Sequence, residues 1–434
     1  MKTINRQRGV GSLVIALILL FSMSMIAFFV SKSLIFEQRS SANQYRSTKA
    51  FEAADAGIEW ATAMLNDIRF ADNACVPLGA GATQSFRTRY LAYSTASGFT
   101  PVSTVQPGCR ISVTAGVPAL TCACPAAGNP ALASATDPTF TVKFEAVNTT
   151  TLPNGTADTE SVLVTSYGCT SADPRCVPGA AGTADGYQKI SVILKLKPSI
   201  QSVPAAAITT GGSLKLTSSA STVINTDVES NGLLVDAGAG INNVAVAGCT
   251  GSFKDFQTAT TLPGTPWQNA MVQNDASLAA LSANPDAMFQ SYFGSTILQF
   301  KQDRSTKILS TCSPKSQPYD DYVAAYNNGF RAFYTDCDFD AGGNLGSLAD
   351  PVVMVTTGEL KFNGGESIFG MVYGDKAIWD QVGLGNGSIT GALVVRGSYC
   401  ANANATYSYN GDALKKIRGT TGTLVRVPGS WKDF

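Results

Sequence analysis

From Leu13 to Val30 the chain is apolar apart from Ser22 and Ser24. As a helix rising 1.5 Å per residue, that run is about 27 Å long, close to the thickness of a bilayer core. Lys2, Arg6 and Arg8 precede it, so the positive-inside rule puts the N-terminus in the cytoplasm and the rest outside. The helical pattern outlasts the run. Between Gly11 and Pro77 there is no proline, and Gly57 is the one glycine. Phe51, Ala54, Ile58, Ala61, Leu65 and Ile68 recur at alternating steps of three and four, which lines them along one helix face. Arg46, Lys49, Asp55 and Glu59 fall opposite. The pattern predicts one helix over residues 10–71. Its first half, membrane-spanning over about 13–30, is apolar all round. Its second half is amphipathic and suits docking on a folded domain. A cleaved secretory signal explains less, because the run is too long and "FFVSKSL" offers no small-x-small cleavage site.

Composition narrows the chemistry. The chain has no histidine, which removes Ser-His-Asp and Cys-His catalysis and every His-ligated metal site. Lys plus Arg equal Asp plus Glu at 31 each, so there is no nucleic-acid footprint. All ten cysteines follow the apolar run: Cys75, Cys109, Cys122, Cys124, Cys169, Cys176, Cys249, Cys312, Cys337 and Cys400. An even count outside the cytoplasm reads as disulfides. Cys122-Ala-Cys124 is a lone CxC and lacks the paired CxxC spacing of zinc sites. Cys169 and Cys176 can close a short loop, but the six cysteines before residue 200 leave their pairing open.

The rest of the chain reads as β-structure. "CRISVTAG" (Cys109–Gly116), "TFTVKFEAV" (Thr139–Val147), "SVLVTSYGC" (Ser161–Cys169) and "YQKISVILKLK" (Tyr187–Lys197) alternate apolar with polar residues. Residues 72–199 are therefore expected as an antiparallel sheet packed on the helix, an α+β arrangement. "PSIQSVPAAA" (Pro198–Ala207) reads as a linker. Beyond it, "GSLKL" (Gly212–Leu216) recurs as "GELKF" (Gly358–Phe362), and "SIFGMVYGD" (Ser367–Asp375) is echoed by "SITGALVVRG" (Ser388–Gly397) 21 residues later. Apolar pairs punctuated by glycine at this period predict a β-solenoid-like or β-helix-like domain over 200–434. The segments Trp267–Gly294 and Pro318–Tyr334 read as helical, which makes about 250–350 a partly helical insertion.

Two features invite a ligand. Asp336, Asp338 and Asp340 alternate in "DCDFDAGGN" and can wrap a hard cation such as calcium, although the twelfth position is Ser347 and not the glutamate of an EF-hand. A solvated acidic turn is the plainer reading. Tyr373, Trp379, Tyr399 and Tyr407 can bind glycans if exposed and otherwise stack in a core. No catalytic constellation is identified.

The N-terminal residues resemble a family. Arg8-Gly9, "SLVIALILL" (Ser12–Leu20), "EQR" (Glu37–Arg39) and "AFEAADAGIE" (Ala50–Glu59) are similar to a class III prepilin leader followed by the N-terminal domain of PilX-type minor pilins. The ending, "YNGDALKKI" (Tyr409–Ile417) and "VPGSWKDF" (Val427–Phe434), resembles the C-terminal module of large members. The resemblance implies a leader over 1–9, a pilin helix, a pilin-like β domain and the larger β-rich module. It implies cleavage by prepilin peptidase after Gly9 and methylation of the new N-terminal Val10. One extra residue relative to the family spacing leaves a cut after Gly11 open. Major pilins carry a glutamate at the fifth mature position; here that position is Val14, or Ala16 with the later cut. A subunit without that acid suits a site with no subunit above it.

The implied protein is a non-enzymatic structural subunit of a type IV pilus, acting in the initiating or tip complex. Its implied partners are other minor pilins, the major pilin, prepilin peptidase and the inner membrane, which it crosses once before moving into the extracellular fimbria. Twitching motility and cell adhesion are the implied processes. The alternatives are an adhesin-like module that binds a host surface or glycan, carried on a pilin helix, and a tip pseudopilin of type II secretion.

Overall fold

The computed structural model describes residues 10–114, 116–132, 136–147, 158–171, 176, 186–217, 221–241, 249, 258–362, 365–375, 378–380, 387–401 and 404–433. Helix α1 (Val10–Leu65) runs unbroken for 56 residues. It stops short of the expected residue 71, because Phe70–Ala71 is a short strand paired with Gln84–Ser85. Ile68 lies beyond the helix end but is still buried.

A short helix, α2 (Phe86–Tyr90), follows, capped by the Ser85 hydroxyl. Then come β1 (Gly108–Thr114), β2 (Val117–Ala123), β3 (Thr139–Ala146), β4 (Ser161–Cys169) and β5 (Tyr187–Lys197). They pair antiparallel in the spatial order β2-β1-β3-β4-β5. The four segments expected as strands are strands; β2 is an addition. Alternation sets the buried face: Phe140, Val142 and Phe144 on β3, Val162 and Val164 on β4, Ile190, Val192 and Leu194 on β5. The second half of α1 closes that face with Ala54, Ile58, Ala61 and Leu65. A long helix on an antiparallel sheet, followed by a β-rich region with a few helices, makes the chain α+β.

Past β5 the chain does not cross a free linker, since Ile200 is fully buried. Helices α3 (Ala276–Ser282), α4 (Pro285–Phe293), α5 (Ile297–Gln302) and α6 (Gln317–Asn327) lie in the expected insertion. So do β6 (Thr306–Leu309) and β7 (Ala332–Thr335), which are not an appendage. They continue a parallel ladder through β8 (Val352–Thr356), β9 (Ser367–Gly374), β10 (Ser388–Val395) and β11 (Thr406–Tyr409). Thr222–Ile224 and Thr258–Thr260 extend it beyond β11, and among the described residues the ladder does not close on itself. The 21-residue echo in the sequence is a real register: Ser367 pairs with Ser388 and Gly374 with Val395. Gly370 and Gly391 sit opposite each other at φ 135° and 144°. At each, a Cβ would strike the carbonyl of the preceding layer, Val352 O or Gly370 O, so the repeated glycine is a packing requirement.

Both faces of this ladder are covered. One carries Phe333, Met354, Val372 and Leu393 into a core shared with Tyr322, Tyr399 and Tyr407. The other carries Val353, Met371, Tyr373 and Val394 against Phe289, Phe293 and Phe300. Strands buried on both sides read as near-continuous apolar runs, as "VVMVT" does.

Helix α7 (Gly411–Thr420) leads back to the first sheet. There β12 (Thr423–Arg426) and β13 (Lys432–Asp433) pair antiparallel with β5. A boundary that assigns all of 200–434 to one unit therefore misses this return. The C-terminal strands share a sheet edge with a strand from mid-chain, which no local pattern announces.

Candidate assembly surface on the N-terminal helix

The first half of α1 stands clear of the rest of the chain among the described residues. Its 18-residue apolar window has a mean hydropathy of 2.8 and none of it is buried. Leu13, Ile18, Phe21, Phe29 and Phe36 are all more than half exposed. Ser22 Oγ donates to Leu19 O at 2.9 Å and Ser24 Oγ to Leu20 O at 2.5 Å, so neither hydroxyl presents an unmet group to an apolar neighbour. No charged residue occurs from Val10 to Ser31. Lys32 Nζ lies 4.7 Å from the Phe28 ring, folding its stem back along the apolar surface. A continuous apolar surface of this kind is stable in lipid or against other apolar helices, not in water.

The second half docks by close approach. Ala50, Ala53, Ala54, Gly57 and Ala61 are buried, and small side chains bring the helix down onto the sheet. A Cβ on Gly168 of β4 would collide with the backbone of Ala50 and Ala54, and one on Gly57 with Ser166 and Phe140. The "AADAGIE" segment is therefore shaped by the sheet beneath it. Glu59, on the exposed side, pairs with Arg426 at 2.6 Å.

The C-terminal end of α1 is tied to the returning C-terminal segment by the side chains of Arg87 and Asn66. Arg87 is buried and donates from Nε to Leu65 O at 2.7 Å and from Nη2 to Gly422 O at 2.9 Å. It thus caps the negative end of the helix dipole. Burial pushes its pKa down to about 10, partly offset by Asp303, so it stays charged at neutral pH. Asn66 bonds the backbone of Leu424 in both directions. In "VPGSW", Val427 N donates to Ile193 O, the Ile193 amide donates to Ser430 Oγ, and Trp431 stacks edge-on against Phe51 at 6.2 Å. The C-terminal motif is the turn between β12 and β13, tied to β5 at Ile193 and set against the helix through Trp431 and Phe51.

The residues expected to matter fall as follows. Gly9 lies outside the described residues, and Val10 opens α1. Val14 is 48% exposed on the free half. The ten cysteines form Cys75–Cys124, Cys109–Cys122, Cys169–Cys176, Cys249–Cys400 and Cys312–Cys337. Cys122 and Cys124 thus go to different partners. Asp336 and Asp338 are exposed and Asp340 half-buried, alternating with buried Cys337 and Phe339; Asp338 accepts from the Glu359 amide. Among the described residues, the one close group of metal-type ligands joins Asp336 to Cys312 and Cys337. Both sulfurs there are spent in a disulfide, so a single carboxylate remains. Tyr373, Tyr399 and Tyr407 are fully buried, and Tyr399 and Tyr407 share a hydroxyl–hydroxyl bond of 2.7 Å. They are core residues and not a glycan platform. The side chain of Trp379 lies outside the described residues. Arg87 and Asn66 escaped the sequence reading, since a lone arginine or asparagine before a turn carries no signal.

Residues 8–59 match the PilX N-terminal family model. No curated protein matches the chain. Among solved structures, the competence-associated pilin ComZ from Thermus thermophilus is similar at 10% identity and a TM-score of 0.24, over 90% of this chain and 97% of that one. That likeness is too weak to carry weight. The match to residues 8–59, the motif residues in it and the free apolar half-helix agree: residues 8–59 of this chain are similar to the N-terminal domain of PilX-type pilins.

Proposed function

We propose that the chain is a minor pilin of a type IV pilus and works in the complex that starts or tips the fibre. In this reading prepilin peptidase cuts after Gly9, Val10 is methylated, and the helix holds the protein in the inner membrane until assembly. Its work is packing and not catalysis: the free half of α1 exchanges lipid for the helices of other pilins.

The observation that carries the tip placement is Val14. It stands exposed on the free helix without a carboxylate to attract the N-terminus of a subunit above. Size points the same way, because a parallel sheet with four helices beside it is bulky for repeated placement along a thin filament.

N-terminal sequencing of the membrane-extracted protein tests the processing. A methylated Val10 is expected; an intact Met1, or a start beyond Val30, would sink the reading. A deletion strain tests the system served. Loss of surface pili and twitching is expected, whereas loss of enzyme secretion with pili intact would assign the chain to type II secretion.

A further inference from the structure

A cavity of about 430 Å³ lies where the first sheet's domain meets the parallel ladder. Its volume is within the range of small-molecule sites. Three walls enclose it. The region of α2 supplies Arg87, Leu91 and Phe99, the turns entering β7 and β8 supply Arg331 and Asp350, and α7 supplies Lys416.

The walls are fixed to one another. Phe70 N donates to Asn328 O at 3.1 Å, which ties the first domain to the turn before β7. Beside that bond, Gly329 stands at φ 102° and lies so close to Ile68 O that a Cβ would collide with it. On the third wall, a Cβ on Gly419 would strike the Tyr93 ring. Close contacts on two sides thus hold open a space between them, and a ligand entering it would meet a shape already formed.

The charges in the cavity do not balance. Among the described residues that line it, the one carboxylate, Asp350, pairs with Arg331 at 3.0 Å. Arg87 is buried and charged, and its hydrogen bonds go to neutral oxygens: Leu65 O, Gly422 O, Thr420 O and Asn66 Oδ1. Its Nη1 has a single acceptor, at 3.5 Å, so one N–H is left over. Lys416 is half-buried. Among the described residues no carboxylate lies within ion-pair distance of Arg87 or Lys416. Buried charges are ordinarily paired. Beside these two cations the surface is apolar, with Leu91 and Phe99 both buried.

We propose that this cavity binds a small carboxylate with a compact apolar body, its acid group held by Arg87 and Lys416 and its body against Leu91 and Phe99. A neutral apolar molecule would desolvate both cations without pairing them. An inorganic anion would leave the apolar wall unused. The proposal does not depend on the chain being a fibre subunit.

The test titrates benzoate into the full chain in non-ionic detergent and follows binding by calorimetry. Benzamide, of the same shape but neutral, and glucuronate, an acid with a polar body, are the comparisons. Saturable binding of one benzoate per chain is expected, with both comparisons weaker by about tenfold or more. Lys416→Gln should weaken benzoate about tenfold. Lys415→Gln, which removes the neighbouring cation paired with Glu229 outside the cavity, should leave it unchanged. If Lys416→Gln melts early, photolabelling of the unaltered chain with an azidobenzoate decides, with adducts expected within residues 83–99, 329–350 or 416–420. Equal binding of benzoate and benzamide, tighter binding of glucuronate, no saturable binding, a folded Lys416→Gln that binds as the wild type does, or adducts only elsewhere would each overturn the proposal.

Discussion

Asn66 and Leu424, 358 residues apart, exchange two hydrogen bonds: Asn66 Nδ2 to Leu424 O at 2.9 Å and Leu424 N to Asn66 Oδ1 at 2.7 Å. An amide side chain just past the end of α1 thus acts as one more strand beside β12. Leu424 is buried, so removing the amide strands two polar groups away from water. Asn66→Ala should cost about 2–4 kcal/mol, one desolvation penalty for each group. Urea unfolding of the detergent-solubilised chain would show it as a lower midpoint. An unchanged midpoint would mean that the C-terminal return does not hold the helix.

Asp236 should be a stability liability at neutral pH. Its Oδ1 is buried with no hydrogen-bond partner among the described residues, and burial, then the neighbouring Asp275, raise its pKa above the ordinary value. The unfolded chain therefore loses this proton at lower pH than the folded chain does. Stability falls as pH rises through that window and stays reduced above it. Asp236→Asn should stabilise the protein at pH 7, and the gain should vanish below the ordinary aspartate pKa. Thermal melts of both proteins at pH 7 and pH 3 decide it; an equal gain at both would refute the electrostatic cause.

Gly391→Ala should be among the most damaging small changes in the chain. Its φ of 144° is unfavourable for any side chain, and the added carbon meets Gly370 O in the layer below. Strain and overpacking together should cost about 3 kcal/mol or more. Gly365→Ala, where an added carbon meets nothing within 4 Å, is the control and should shift the midpoint little. Similar melting midpoints for the two variants would contradict the stacking of Gly370 on Gly391.

What could be read from the sequence follows the range of the interaction. Ile58, Ala61 and Leu65 were legible because a helix repeats its core contact every three or four residues. The pairing of Ser367–Gly374 with Ser388–Val395 was legible because both strands keep the same apolar spacing and the same glycine. β6 and β7 carry no such echo, so their segment looked like an insertion although it continues the ladder. The return of β12 to β5 was invisible for another reason: its partner is over 220 residues upstream, and antiparallel pairing leaves no periodic mark. Within the assembly surface, "AADAGIE" was recognisable as a motif, but its cause, the meeting with Gly168, needed the sheet. Of the disulfides, Cys169–Cys176 was legible from the short loop it closes, whereas the other four pairings needed the fold.

Val14→Glu gives the most direct test of placement. In lipid an unpaired carboxylate is costly, about 2.5–3.5 kcal/mol at the bilayer centre and less near the end of the apolar run where Val14 lies. Inside a fibre the partner would be the N-terminal amine of a subunit above. If this chain stands at the tip, no such amine exists and the cost is unrelieved. The variant should then enter fibres less often than the wild type, and fewer fibres should form. Val14→Gln, of the same shape but uncharged, should lose less. Counting fibres per cell and gold-labelled chain per fibre separates the cases. Label appearing along fibre shafts, or fibre number rising with the glutamate, would show that a subunit does lie above, and would place this chain within the filament.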